Sequence, residues 1–133
     1  MKILLDTHVW LWWLIAPERL TPAERDTLDV QAGRGALGVS AICLWEAQML
    51  YAKGRLRLPM PFGAWLREAA GPEVVSVVPL SVDVVLAVDA LPKSFHGDPA
   101  DRVIVATARA HSVPLATRDR AIRASRLAKL WRP

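Results

Sequence analysis

Four acidic residues stand where a carboxylate needs a reason to be. Asp6 ends the apolar run Ile3-Leu4-Leu5, and Glu46 sits inside Ser40-Ala41-Ile42-Cys43-Leu44-Trp45-Glu46. Asp101 follows Asp98 by three in Asp98-Pro99-Ala100-Asp101, and Asp119 closes Leu115-Ala116-Thr117-Arg118-Asp119. On a helix, Glu46 shares its face with Ile42, Cys43, Met49 and Leu50, an apolar stripe on which a bare carboxylate is unstable. Brought together, four carboxylates raise one another's pKa. They can then share protons as a general acid–base pair, or hold a hard divalent cation. Carboxylate oxygens without cysteine or suitably spaced histidine select magnesium or manganese over zinc. Such a centre activates water and clamps phosphoryl oxygens in an in-line displacement.

The elements around these acids decide whether they meet. Ile3-Leu4-Leu5 has no alternation and reads as a strand buried on both faces of a parallel sheet, with Asp6 at its carboxyl end. A short buried helix over 9–15 stops before Pro17. Thr21-Pro22-Ala23-Glu24 opens a second helix with a capping box, and Gly33 ends it. Gly33-Arg34-Gly35-Ala36-Leu37-Gly38 matches the G-x-G-x-x-G pattern, but it leaves a helix and enters a strand, the reverse of a dinucleotide-binding loop. It is a helix stop and turn.

A second strand over 36–39 leads to Ser40, which caps a helix ending at Gly54. A helix over 62–70, a strand over 74–78 and a helix over 82–90 follow. Asp98 caps a long helix over 99–110. A strand over 113–116 then carries Thr117-Arg118-Asp119 at its end, a short basic helix follows, and Leu130-Trp131 is a candidate edge strand. Alternating strands and helices predict an α/β fold, a three-layer α/β/α sandwich on a mainly parallel sheet. Asp6, Glu46, Asp101 and Asp119 then gather at the carboxyl ends of the strands, where open α/β sheets build their sites.

Composition is consistent with this. The 133 residues, 53% hydrophobic and 23% charged, predict one folded domain over 1–133. With one cysteine the chain forms no internal disulfide, which suits a cytoplasmic location. Cys43 reads as core. The apolar stretch over 9–16 is too short to span a bilayer, and Asp6 interrupts any signal-peptide pattern, so no membrane association is expected. The net charge is +4. Setting the four acids aside from 13 leaves nine against 17 basic residues, a cationic surface suited to a polyanion.

Leu4-Leu5-Asp6-Thr7-His8, the segment from Ser40 to Glu46, the segment from Asp98 to Ala108, and Leu115-Ala116-Thr117-Arg118-Asp119 together resemble the PIN-domain ribonucleases, and in particular the VapC toxins of bacterial toxin–antitoxin pairs. The likeness runs over essentially the whole chain. It implies a Mg2+- or Mn2+-dependent endoribonuclease that hydrolyses RNA to leave a 5′-phosphate and a 3′-hydroxyl. It also implies a homodimer, inhibited by a cognate antitoxin whose tail lies across the active-site groove. Asp6, Glu46, Asp101 and Asp119 match the family's acidic positions. Asp6 and Asp101 are the expected direct ligands; Glu46 and Asp119 bind metal directly or through water and position the attacking water. Thr117 resembles a supporting hydroxyl residue, and Thr7 matches the second residue of the opening motif. His8 stands where relatives have Asn, a departure that leaves its own role open.

Several residues carry two readings. Asp98 is placed to cap a helix or to join the metal site. Arg102 pairs with a site carboxylate or a phosphate, or is structural. Arg118 is the better candidate for touching RNA, and His96 lies close enough to the acidic helix to contact substrate. Trp10, Trp12 and Trp13 are either core or, in part, a protein-binding surface. Two other functions compete: a non-catalytic PIN-like RNA-binding or scaffold domain, and a haloacid-dehalogenase-like phosphatase. The phosphatase needs a second Asp where His8 stands.

Overall fold

A computed structural model describes residues 1–95 and 97–133; the expectation for His96 lies outside them. Four parallel strands form one sheet in the order β3-β2-β1-β4, with β1 at Ile3–Leu5, β2 at Leu37–Ser40, β3 at Ser76–Val78 and β4 at Leu115–Ala116. The helices are α1 (Thr7–Ile15), α2 (Pro22–Gly33), α3 (Ala41–Ala52), α4 (Phe62–Ala69), α5 (Val82–Asp89), α6 (Pro99–His111) and α7 (Arg120–Ser125). Every residue of β1 and β2 is buried, which an unalternating run of Leu, Val and Ile permits only when helices cover both faces of the sheet. This is the expected three-layer α/β/α sandwich. No helix among the described residues is long and apolar enough to cross a membrane.

Local chemistry sets most boundaries as read. Thr21 and Glu24 form a complete capping box at α2, Ser40 accepts from the Ile42 N–H at the start of α3, and Ser81 accepts from the Val84 N–H at α5. Gly54 ends the α3 segment at φ +70, a left-handed conformation that glycine adopts without penalty.

Three boundaries differ from expectation. The first helix begins at Thr7 rather than at residue 9, because Asp6 itself is its N-cap. Val74 and Val75 belong to a turn, both N–H groups donating to the Gly71 carbonyl, so the third strand starts only at Ser76. Ser112 takes φ +53 and the Val113 N–H returns to the Ala108 carbonyl, which confines β4 to two residues. Leu130 meets Leu115 in a single parallel bridge instead of a strand, held by Leu115 N–H to Lys129 carbonyl at 2.8 Å and Trp131 N–H to Leu115 carbonyl at 2.9 Å.

The core runs through both helical layers. Leu4, Leu5, Val39, Ile104, Val105 and Leu115 are fully enclosed. Trp10 is also fully buried, its indole N–H donating to the Ala69 carbonyl at 3.1 Å. Trp13 is half-buried and bonded to Asp29. Exposed apolar surface lies elsewhere, at Trp45 and Tyr51 on α3 and at Leu80, Val82, Val85 and Leu86 around α5.

Candidate metal and RNA site

Asp6 is placed by the sheet. Its backbone N–H donates to the Ala116 carbonyl at 2.9 Å, joining the ends of the two neighbouring strands β1 and β4. Only 5% of the residue is exposed. Both carboxylate oxygens are spoken for: Oδ1 accepts the His8 N–H at 3.1 Å and Oδ2 accepts the Thr117 hydroxyl at 2.6 Å. Those bonds favour the charged form, yet burial outweighs them and the pKa is raised.

Thr117, also buried, organises its own neighbourhood. Its hydroxyl oxygen accepts the Asp119 N–H at 3.0 Å while donating to Asp6, and the Asp119 Oδ1 caps α7 by accepting the Ile122 N–H at 2.8 Å. The pleat and the following cap thereby aim Asp6 and Asp119 from adjacent elements. On the other side, buried Thr7 donates its hydroxyl to Oε1 of Glu46, a contact between α1 and α3. Glu46 is half-buried and its pKa is raised by burial, with the Asp98 and Asp6 charges adding to the effect. The two threonines thus each hold one acid.

Asp98 caps α6 by accepting the Asp101 N–H at 2.8 Å, so its capping role is met in full. It also faces the other acids. Asp101 is driven up to about 7 by burial and then by the charges of Asp98, Asp119, Asp6 and Glu46. One carboxyl that feels four others is the electrostatic signature of convergence. Asp6, Glu46, Asp98, Asp101 and Asp119 line a single cleft of about 320 Å³, whose lining His8, Trp12 and Arg118 complete.

The basic residues near the cleft have protein partners. Arg118 borders the cleft but its guanidinium pairs with Glu24 on α2, the same carboxylate that serves the capping box. Burial alone would raise the Glu24 pKa, but the Thr21 N–H first and the Arg118 guanidinium next outweigh it and leave it lowered. The exposed Arg118 side chain thus has a protein partner at the rim of the cleft. Arg102 turns away to donate to the Phe95 carbonyl at 2.8 Å, which is the structural one of its two readings. Cys43 is buried and its thiol is pushed up to about 12 by desolvation, so it is core and not nucleophile.

Trp12 is the lining residue whose part in the site sequence reasoning missed. A usable signal was present: it follows His8 by four, so both project from one face of α1, and their rings lie 5.8 Å apart.

The lining donors are carboxylate oxygens, the type that magnesium and manganese prefer, and their mutual repulsion is what a divalent cation relieves. Among the described residues, no three His, Cys, Asp or Glu side chains close into a ready-made ion cage. The donor chemistry fits such an ion.

A parallel α/β/α sandwich with acids gathered at its strand ends describes a recognised class. Residues 3–129 match the PIN domain family, and the chain belongs to it. Within that family it is of the VapC type: it is 40% identical over 124 residues to Ribonuclease VapC22 of Mycobacterium tuberculosis, covering 93% of this chain and 92% of that one. Two solved structures share the fold. VapBC2 from Rickettsia felis, bound to a DNA fragment from their promoter, superposes with a TM-score of 0.74 at 16% identity, covering 98% of each chain. FitAB bound to an IR36 DNA fragment gives 0.64 at 25% identity, covering 98% of this chain and 94% of the other. The haloacid-dehalogenase alternative falls with the family assignment.

Proposed function

We propose that this protein is the endoribonuclease toxin of a type II toxin–antitoxin pair, working on RNA in the cytoplasm as one PIN domain over residues 1–133. The observation that carries the reading is the convergence of Asp6, Glu46, Asp101 and Asp119, from four separate segments, on one cleft. Its VapC-type relative, named a ribonuclease, supports the activity.

Asp6 and Asp101 would hold Mg2+ or Mn2+ directly, with Glu46 and Asp119 binding directly or through water; Asp98 caps α6 and adds charge. When bound, the ion would polarise a phosphodiester oxygen and make water a better nucleophile. Thr117 and Thr7 keep Asp6 and Glu46 from rotating away. Water attacks phosphorus in line, a site carboxylate takes its proton, and the P–O3′ bond breaks. The departing oxygen is protonated from solvent, leaving a 5′-phosphate and a 3′-hydroxyl.

The partners follow from the same reading: an RNA substrate, a cognate antitoxin, and a second copy of the chain. The exposed apolar residues Leu80, Val82, Val85 and Leu86 offer surface for the homodimer, which light scattering would detect.

Purified protein incubated with RNA should cleave with manganese, stop with EDTA, and be inactive as Asp6→Asn. Cleavage that survived both EDTA and the substitution would overturn the metal-nuclease reading. RNA binding without cleavage under any metal would favour the non-catalytic scaffold.

A further inference from the structure

Beside the acidic cleft lies a second depression of about 640 Å³, and the two share His8 and Trp12. One wall is a stripe of α1. His8, Leu11, Trp12 and Ile15 recur at the spacing of a single helical face. The opposite wall is made by Leu50 near the end of α3 and by the segment that Gly54 turns out of the helix. There the Arg55 N–H returns to the Leu50 carbonyl at 2.8 Å, Leu56 is buried, and the flanking Arg55 and Arg57 are exposed. Arg19, from the turn at Pro17–Arg19, sets its guanidinium 5.7 Å from the centre of the Trp12 ring. Three arginines, one acid (Glu18) and the apolar residues of α1 and α3 line it.

We propose that this groove carries the single-stranded RNA flanking the scissile phosphate, a reading that rests on the endoribonuclease assignment above. Five carboxylates line the cleft, and a bound ion would offset their charge only at the scissile phosphate, so attraction for the flanking strand has to come from cations next to it. Arg118, the cleft's own arginine, is paired with Glu24. The adjoining positive charge is that of Arg19, Arg55 and Arg57. Trp12, at the boundary of the two depressions, gives an unpaired base a stacking surface, and the Arg19 guanidinium beside it adds a second planar group. Arg55 and Arg57 then take backbone phosphates, which makes the strand's path from the groove into the cleft a determinant of substrate choice.

The test uses the full chain with manganese and a single-stranded RNA oligonucleotide. Binding is measured separately in an Asp101→Asn background, where turnover does not interfere. Arg55→Ala combined with Arg57→Ala should raise KM about tenfold, with KM carrying most of the change. It should also flatten the slope of log K against log salt by about 1.4, for two lost phosphate contacts on a single strand. Trp12→Ala should weaken binding about tenfold or more, and Trp12→Phe should retain most of it; the Phe variant guards against a folding defect. Arg34→Ala, in the turn before the opposite end of β2, should change neither quantity. Unchanged KM and salt slope in the double variant would overturn the proposal, including a result in which those arginines matter only for a protein partner. Failure of the catalytic reading looks different: the wild type would cleave nothing, and the binding measurements would still decide the groove.

Discussion

The acidic cleft is held by the ends of a sheet, whereas the arginine groove beside it is held by helix ends and a turn. In the cleft Asp6, Glu46 and Asp119 are buried or half-buried and held by hydrogen bonds: Asp6 by Thr117, Glu46 by Thr7, Asp119 by its cap on α7. In the groove the arginines are exposed and only Arg19 rests on a ring. Chemistry on a phosphodiester needs atoms placed within a fraction of an ångström, and buried polar contacts provide that. Attraction of a polyanion works over longer distances and tolerates mobile cations. The two depressions thus divide precision from attraction, and Trp12 and His8 join them.

Breaking the precise half has the largest expected effect. Asp101→Asn, assayed for RNA cleavage with manganese, should lower kcat by about a thousandfold or more, since a lost metal ligand removes several kcal/mol of transition-state stabilisation. Substrate binding measured without turnover should be kept or improved, because the change removes negative charge. Loss of binding in parallel would erase the distinction between the two depressions.

Thr117→Val tests the next layer. The substitution keeps the shape but deletes the donor to Asp6 Oδ2 and the acceptor for the Asp119 N–H. Residues that orient ligands are worth about 10–100-fold, so cleavage should fall by that factor, with the manganese concentration needed for activity rising. An unchanged manganese dependence would assign Thr117 a packing role only.

Asp98 separates cap from ligand. Asp98→Ala should cost about 1 kcal/mol of stability in thermal or denaturant unfolding, as the Asp101 N–H loses its acceptor. Asp98→Asn retains capping capacity, so stability should return while a negative charge is still missing. Activity restored in the Asn variant to within about threefold would mark Asp98 as a cap; activity as low as in Asp101→Asn would make it a ligand.

The smallest effect is on stability. Folded Asp101 titrates near 7, against about 3.9 when unfolded. Between those values the folded state holds the extra proton. This group's contribution is therefore fully present below about pH 4 and is lost as pH rises toward 7. Because Asp101 is half-exposed, solvent screening holds the effect to about 1 kcal/mol or less. The metal-free protein should melt a few degrees higher at pH 5.5 than at pH 7.5. Asp101→Asn should flatten that dependence and raise the melting temperature at pH 7.5, trading activity for stability. A pH-independent melting temperature in the wild type would show that the acids do not repel one another as their placement implies.

Much of this was legible from residues close together in the chain. Capping at Thr21, Ser40 and Asp98 is a property of a few adjacent residues, and each cap forms as read. The parallel sheet follows from unalternating apolar runs, and the acids collect at its carboxyl edge because each lies at a strand end or in the helix that connects to one. The misreadings are local competitions of another kind. Val74 and Val75 have strand-forming side chains, but the turn following Gly71 captures their N–H groups first. The apolar run before it marks Asp6 as a strand-end acid, and the same side chain also caps the helix that follows.

The sequence by itself therefore determined the order of elements, their caps and the identity of the acids, since propensity, capping and hydrophobic pattern act over a few residues. Only the tertiary structure decided which hydroxyl holds which acid and which arginines remain available. Thr117 reaches Asp6 across 111 residues, Thr7 reaches Glu46 across 39, and Arg118 is claimed by Glu24 across 94. Those partnerships depend on strand register and helix packing, which place side chains to within a hydrogen-bond length, and no spacing along the chain encodes a distance of that kind.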